Sequence, residues 1–120
     1  DIDFGIRVAR ESSRSDIGQT VVVKRGTVLA VEGFEGTDEA IKRGGGLGHG
    51  KVVVAKVAKP NHDLRFDVPC VGMTTVESLR AARASALAVH ARRTLLLEKG
   101  DLVAALEASR IPLVAVELSD

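Results

Sequence analysis

Five short runs dominated by valine, alanine and leucine constrain this chain more than any other feature: "VVV" at 21–23, "TVLAV" at 27–31, "VVVAKV" at 52–57, "ALAVH" at 86–90 and "PLVAVEL" at 112–118. Each has the length of a buried or half-buried strand, and none approaches the roughly 18 apolar residues of a membrane span. The segments between them carry helical spacing and helix-start signals. Helices alternating with short apolar strands predict an α/β fold, a single domain over 1–120 with a mixed β-sheet flanked by helices. With three Phe and no Trp or Tyr, the core has to be built from aliphatic side chains.

The individual elements follow from local pattern. "DIDFGIRVARESSR" puts Ile2, Ile6 and Ala9 on one side and predicts a surface helix over 1–14. In "QTVVVKRGTVLAVEG", two β-branched runs around Lys24, Arg25 and Gly26 predict a hairpin. "TDEAIKRG" predicts a short helix with Thr37 as its N-cap and Gly44 at its end. "GGGLGHGK" holds five glycines in seven residues and reads as a mobile linker; Val52 follows Lys51 where a P-loop needs Ser or Thr. Thr74 and Glu77 have capping-box spacing for a helix through about Ala84. "TLLLE" reads as a short strand, and "DLVAALEAS" as a helix capped by Asp101.

Seventeen basic against sixteen acidic residues give a formal charge of +1. That balance supplies no broad field for a polyanion, and the chain lacks aromatic platforms for single-stranded nucleic acid, so nucleic acid is not expected as a partner. One cysteine, Cys70, cannot form an internal disulfide and fits a reducing compartment. A cytoplasmic location is expected. His49, His62 and His90 lack zinc-ligand spacing; His49 and His90 read as solvent-exposed, Cys70 as a small buried residue, and His62, beside Asp63, as the one histidine with a candidate role.

The densest chemistry lies in "KVAKPNHDLRFDVPCVG", residues 56–72. In an extended chain, Asp63, Arg65 and Asp67 share one face and Leu64, Phe66 and Val68 the other. That pattern fits a solvated edge strand, with the arginine paired to its neighbours. It also fits a ligand site, where carboxylates hold a divalent ion while Lys59 and Arg65 neutralise phosphate oxygens. Fully extended, Asp63 and Asp67 would stand roughly 13 Å apart, so a shared ion requires a bend. A second acidic turn, "VEGFEGTD", carries Glu32, Glu35 and Asp38 and fits either a strand-to-helix turn or part of a metal site.

The blocks "DIGQTVVVKRGTVLAVEGFEGTD" and "AKPNHDLRFDVPCVG" together resemble the carboxy-terminal catalytic domain of the UDP-2,3-diacylglucosamine pyrophosphatases of the LpxI kind. The resemblance extends to "IPLVAVEL". It implies a magnesium-dependent hydrolase of lipid A biosynthesis, working at the inner face of the inner membrane, that cleaves UDP-linked diacylated glucosamine into UMP and 2,3-diacylglucosamine 1-phosphate. Carried over by position, Asp67 and then Asp63 are the catalytic carboxylates; Asp67, Glu35 and Asp38 are the metal set; and Lys59, Arg65, His62 and Thr37 face the substrate phosphates. His62 stands where the family usually has glutamine. An apolar groove around Phe34, Phe66, Val71 and Met73 would take the acyl chains. The resemblance also implies an amino-terminal Rossmann-like partner domain, to which nothing in these 120 residues corresponds. A homodimer and a peripheral membrane contact are compatible with it. The rival expectation is a non-catalytic module that binds a nucleotide-sugar or lipid and needs a partner domain.

Overall fold

The computed structural model describes residues 1–59 and 68–118. Along the chain these form α1 (Ile2–Arg14), β1 (Thr20–Lys24), β2 (Thr27–Val31), α2 (Thr37–Gly48), β3 (Val53–Lys56), β4 (Cys70–Val71), α3 (Met73–Ala81), β5 (Ala86–His90), β6 (Leu95–Leu96), α4 (Lys99–Ala108) and β7 (Leu113–Val116). The main sheet has the order β2-β1-β3-β5-β7. β1 runs antiparallel to β2 and β3, while β3, β5 and β7 are parallel. The sheet is therefore mixed, as the alternation of runs predicts. β4 and β6 form a separate parallel pair.

Strand alternation divides the core in two. Val22, Val54, Leu87 and Val89 face α2, α3 and α4, packing with Ile41, Val76, Leu79, Leu102 and Leu106. Val21, Val23, Val53, Ala55 and Ala88 face the other way, against Ile6 and Ala9 of α1. Among the described residues, one helix thus covers one face and three cover the other. The β1–β2 hairpin turns on Arg25 and Gly26, both at positive φ (51° and 74°), the conformation that a two-residue hairpin loop of the right twist requires.

The glycine-rich segment overturns the linker expectation. α2 runs straight through Gly44, Gly45 and Gly46 to Gly48 and ends on His49 in the left-handed region. Its glycines serve close packing: a Cβ on Gly44 would lie 2.5 Å from Val22 Cβ, one on Gly45 2.4 Å from Ala82 Cβ, and one on Gly48 2.6 Å from Leu29 Cδ1. The segment can dispense with side chains because the sheet and α3 fill the space.

Helix ends also differ from the expected caps. Thr37 is the first residue of α2, and the N-cap is Gly36 at φ 91°. α3 is capped at Gly72, whose N–H donates to Thr75 Oγ1 (3.3 Å), so the capping pair lies two residues before the Thr74/Glu77 reading, and the helix stops at Ala81. Glu98 is the N-cap of α4, leaving Asp101 in the first turn, where its charge still complements the helix dipole.

Two substitutions in α2 separate packing from helix propensity. Gly45→Ala is expected to lower unfolding stability by about 1–3 kcal/mol through overpacking against Ala82. Gly46→Ala meets nothing within 4 Å and is expected to raise stability by about 1 kcal/mol. Urea denaturation of the two variants checks both signs.

Candidate functional site

Because β1 runs opposite to the other described strands of the main sheet, the carboxyl ends of β2, β3, β5 and β7 meet the amino end of β1 along one edge. Register places Thr20 opposite Lys56 and Lys56 opposite Val89, and the Glu32 N–H donates to the Thr20 carbonyl (2.9 Å). The amino ends of α2 and α3 follow from this edge, through the turn after β2 and the Gly72 cap after β4. Open α/β sheets place ligands at such an edge. A cleft of about 210 Å³ opens here, lined by Ser13, Asp16, Gly18, Gln19, Glu32 and Lys59 among others.

The residue that sequence reasoning missed is Lys56. It continues the inward row Val52, Val54 toward α2 and α3, a position where the pattern of β3 calls for an apolar side chain. Lys56 is only 9% exposed. Its Nζ donates to Thr37 Oγ1 (3.2 Å) and to the Cys70 carbonyl (3.0 Å). Thr37 Oγ1 in turn donates to Glu32 Oε1 (3.3 Å) and lies 3.4 Å from Thr20 Oγ1. Since the one proton of Thr37 goes to Glu32, Thr20 is the donor to Thr37. Five segments of the chain are tied together through one hydroxyl and one ammonium. Burial pushes the Lys56 pKa below the usual lysine value, against the opposing pull of Glu32, Cys70 and Asp38.

The expected site residues separate into three groups. Thr37 lies at the centre of this network. Lys59 lines the cleft and forms an ion pair with Asp16 of the "DIGQ" block. Glu35 and Asp38 are not brought onto a common ligand. Glu35 accepts from the Gly33 N–H (3.0 Å) and pairs with Arg43 (3.0 Å), while Asp38 Oδ1 accepts from Ser78 Oγ (3.0 Å), which ties α2 to α3. The Gly33 hydrogen bond foremost, then Arg43, hold the Glu35 carboxyl below the usual range despite some desolvation. Its stabilising contribution is thus present above the ordinary carboxylate pKa and is lost as pH falls through the lowered one. His62, Asp63, Arg65 and Asp67 lie outside the described residues, as does Phe66. Among the described residues, no three His, Cys, Asp or Glu side chains converge to hold a metal ion.

Three readings of single residues are corrected. His90 is buried, and its Nδ1 accepts from the Ala58 N–H (3.3 Å), because β5 lies inside the sheet and its end is covered. Cys70 is exposed, since β4 pairs with the short β6 in a separate two-stranded sheet outside the main core. Val71 is fully buried, whereas Phe34 is wholly exposed and Met73 partly so, so Val71 contributes to the core and not to an acyl groove. His49 is exposed, as expected. The signal that could have revealed Lys56 is the lysine interrupting an otherwise apolar strand.

Thr37→Val, which keeps the shape and removes the hydroxyl, leaves Glu32 and Lys56 each short of a partner. It is expected to cost about 1–3 kcal/mol. Glu35→Gln, at an exposed and solvent-screened ion pair, is expected to cost clearly less than Thr37→Val. Chemical denaturation of the two variants side by side tests the contrast.

Residues 1–114 match the family model of the LpxI C-terminal domain. The UDP-2,3-diacylglucosamine pyrophosphatase LpxI of Caulobacter vibrioides is 41% identical over 115 residues, an alignment that covers 88% of this chain and 40% of the relative. The chain therefore spans well under half the length of the curated protein it matches. Both blocks that carry the resemblance, "DIGQ" to "EGTD" and "AKPNHD" onward, fall within the matched region, and the described parts of both border the cleft and the Lys56 network. The chain belongs to the LpxI C-terminal domain family.

Proposed function

We propose that this domain carries the catalytic carboxylates of a UDP-2,3-diacylglucosamine pyrophosphatase and cleaves the pyrophosphate bond to give UMP and 2,3-diacylglucosamine 1-phosphate. The observation that carries this reading is its family membership together with 41% identity to a protein of that name. The edge geometry supports it: a cleft, two lysines and two helix amino ends gather where the loop after β3 begins.

In this reading the chain's own groups divide the work. Lys59 and Arg65 neutralise phosphate oxygens that gain charge as the bond to the leaving group breaks. Thr37 and His62 orient the phosphates by hydrogen bonding. Asp67 and Asp63 are the carboxylates proposed at the reacting phosphorus. Magnesium, when bound, would lower the pKa of a water and polarise the phosphoryl group. The described residues alone do not make a magnesium site, because Glu35 is bound to Arg43 and Asp38 to Ser78. Asp67 is therefore the proposed holder of the ion. The proposal further includes action in the cytoplasm at the inner membrane surface, alongside an amino-terminal domain that completes the substrate site, with homodimerisation compatible.

The test is UMP release from UDP-2,3-diacylglucosamine, with and without magnesium, by the chain alone and by the chain fused behind the amino-terminal part of the Caulobacter relative. Magnesium-dependent release is expected from the fusion, with a drop of at least about 100-fold for Asp67→Ala. Release that ignores both magnesium and Asp67 would contradict the assignment. Tight substrate binding without turnover in either form would make this domain a binding module.

A further inference from the structure

Lys56 is a buried ammonium whose hydrogen-bond partners among the described residues are both neutral, the Thr37 hydroxyl and the Cys70 carbonyl. Among the described residues, no carboxylate forms an ion pair with it within 4.0 Å. The Glu32 carboxylate, among the described residues, hydrogen-bonds to Thr37 and not to the ammonium itself. A buried charge without a direct counter-charge is costly, and an apolar residue of similar volume would serve the core of β3 better. An ammonium has three protons to donate, and the two bonds to Thr37 and Cys70 use two of them. Its surroundings favour an anion in another way as well: the neighbouring helices α2 and α3 have glycine at the N-cap, so no cap side chain competes for their first N–H groups.

We propose that Lys56 is a phosphoryl-binding residue, donating its third N–H to an anionic phosphate oxygen of the ligand, which thereby becomes the counter-charge of the buried ammonium. The inference rests on the phosphoryl chemistry proposed above and adds a residue to it. Thr37 and the Cys70 carbonyl set the position of the ammonium, and Glu32 on the far side of Thr37 keeps that hydroxyl turned to accept from it. The titratable groups around Lys56 are Glu32 after β2, Asp38 of α2 and Cys70 of β4; β1 and β5 present Thr20 and Val89 beside it.

An anion held by the ammonium must bind its protonated form more tightly, so by linkage it raises the Lys56 pKa, and affinity falls as pH rises through the value of the free protein. The experiment follows the Lys56 13Cε resonance of the wild-type chain against pH, free and with saturating UMP or inorganic pyrophosphate. A rise in the Lys56 pKa is expected, equivalent to at least about tenfold tighter binding to the ammonium than to the amine. Lys56→Met is expected to stay folded, with a lowered melting temperature because the Cys70 carbonyl loses its donor, and to bind at least about tenfold more weakly. If UMP binds, as other resonances report, and Lys56 titrates unchanged, the inference falls while the proposed function stands. If pyrophosphate raises the Lys56 pKa and UMP does not, Lys56 is an anion ligand and the uridine-nucleotide reading falls. Binding of neither probe would overturn Lys56 as a phosphoryl ligand.

Discussion

The ammonium of Lys56, held inside the sheet by the Thr37 hydroxyl and the Cys70 carbonyl, is the interaction on which the functional edge depends. It joins the carboxyl end of β3 to the first residue of α2 and to the start of β4, and through Thr37 it reaches Glu32 and Thr20. Without it, β4 would lose this side-chain tie to β3, leaving the Thr37 bonds to Glu32 and Thr20, backbone pairing and the Ser78–Asp38 bond between α3 and α2. A charge so placed opposes folding, and its retention in an otherwise aliphatic core makes physical sense when the edge must meet an anion.

Topology makes that edge available. A hairpin whose first strand lies antiparallel to β3 brings the amino end of β1, with Gln19 and Thr20, alongside the carboxyl ends of the parallel strands. The "DIGQ" and "EGTD" blocks, separated in the chain by the whole hairpin, thereby become neighbours. The cleft that they share with Lys59 is a consequence of strand order. The glycines of α2 act one layer further out: by letting the helix lie against Val22 and Ala82 without side chains between, they set where Thr37 sits relative to Lys56.

Much of the fold was legible in the sequence because period and length carry it. The hairpin, β5, β7 and α1 are each short apolar patterns bounded by turn residues, and the structure has all of them. The glycine run was misread because local propensity argues against a helix, whereas tertiary contact decided the matter: Gly44, Gly45 and Gly48 fit where no Cβ would. His90 and Cys70 were misplaced for a related reason, since burial at strand ends depends on what covers them and not on neighbours in sequence. Of the residues at this edge, Thr37 and Lys59 stand in the motifs that the sequence draws attention to. Lys56 was not legible, because one lysine in a valine run looks like an edge residue until the register is known.

If the carboxyl edge of β3 is the ligand site of this domain, backbone amide shifts of the chain titrated with UMP should concentrate at Gln19, Thr37, Lys56 and Cys70. Such a map tests the claim most directly because it needs no turnover and no substitution. Shifts clustered there would establish the edge as the binding surface. Shifts centred instead on the cleft between α3 and α4, around Arg80, Arg83 and Ser109, with the edge unmoved, would contradict it.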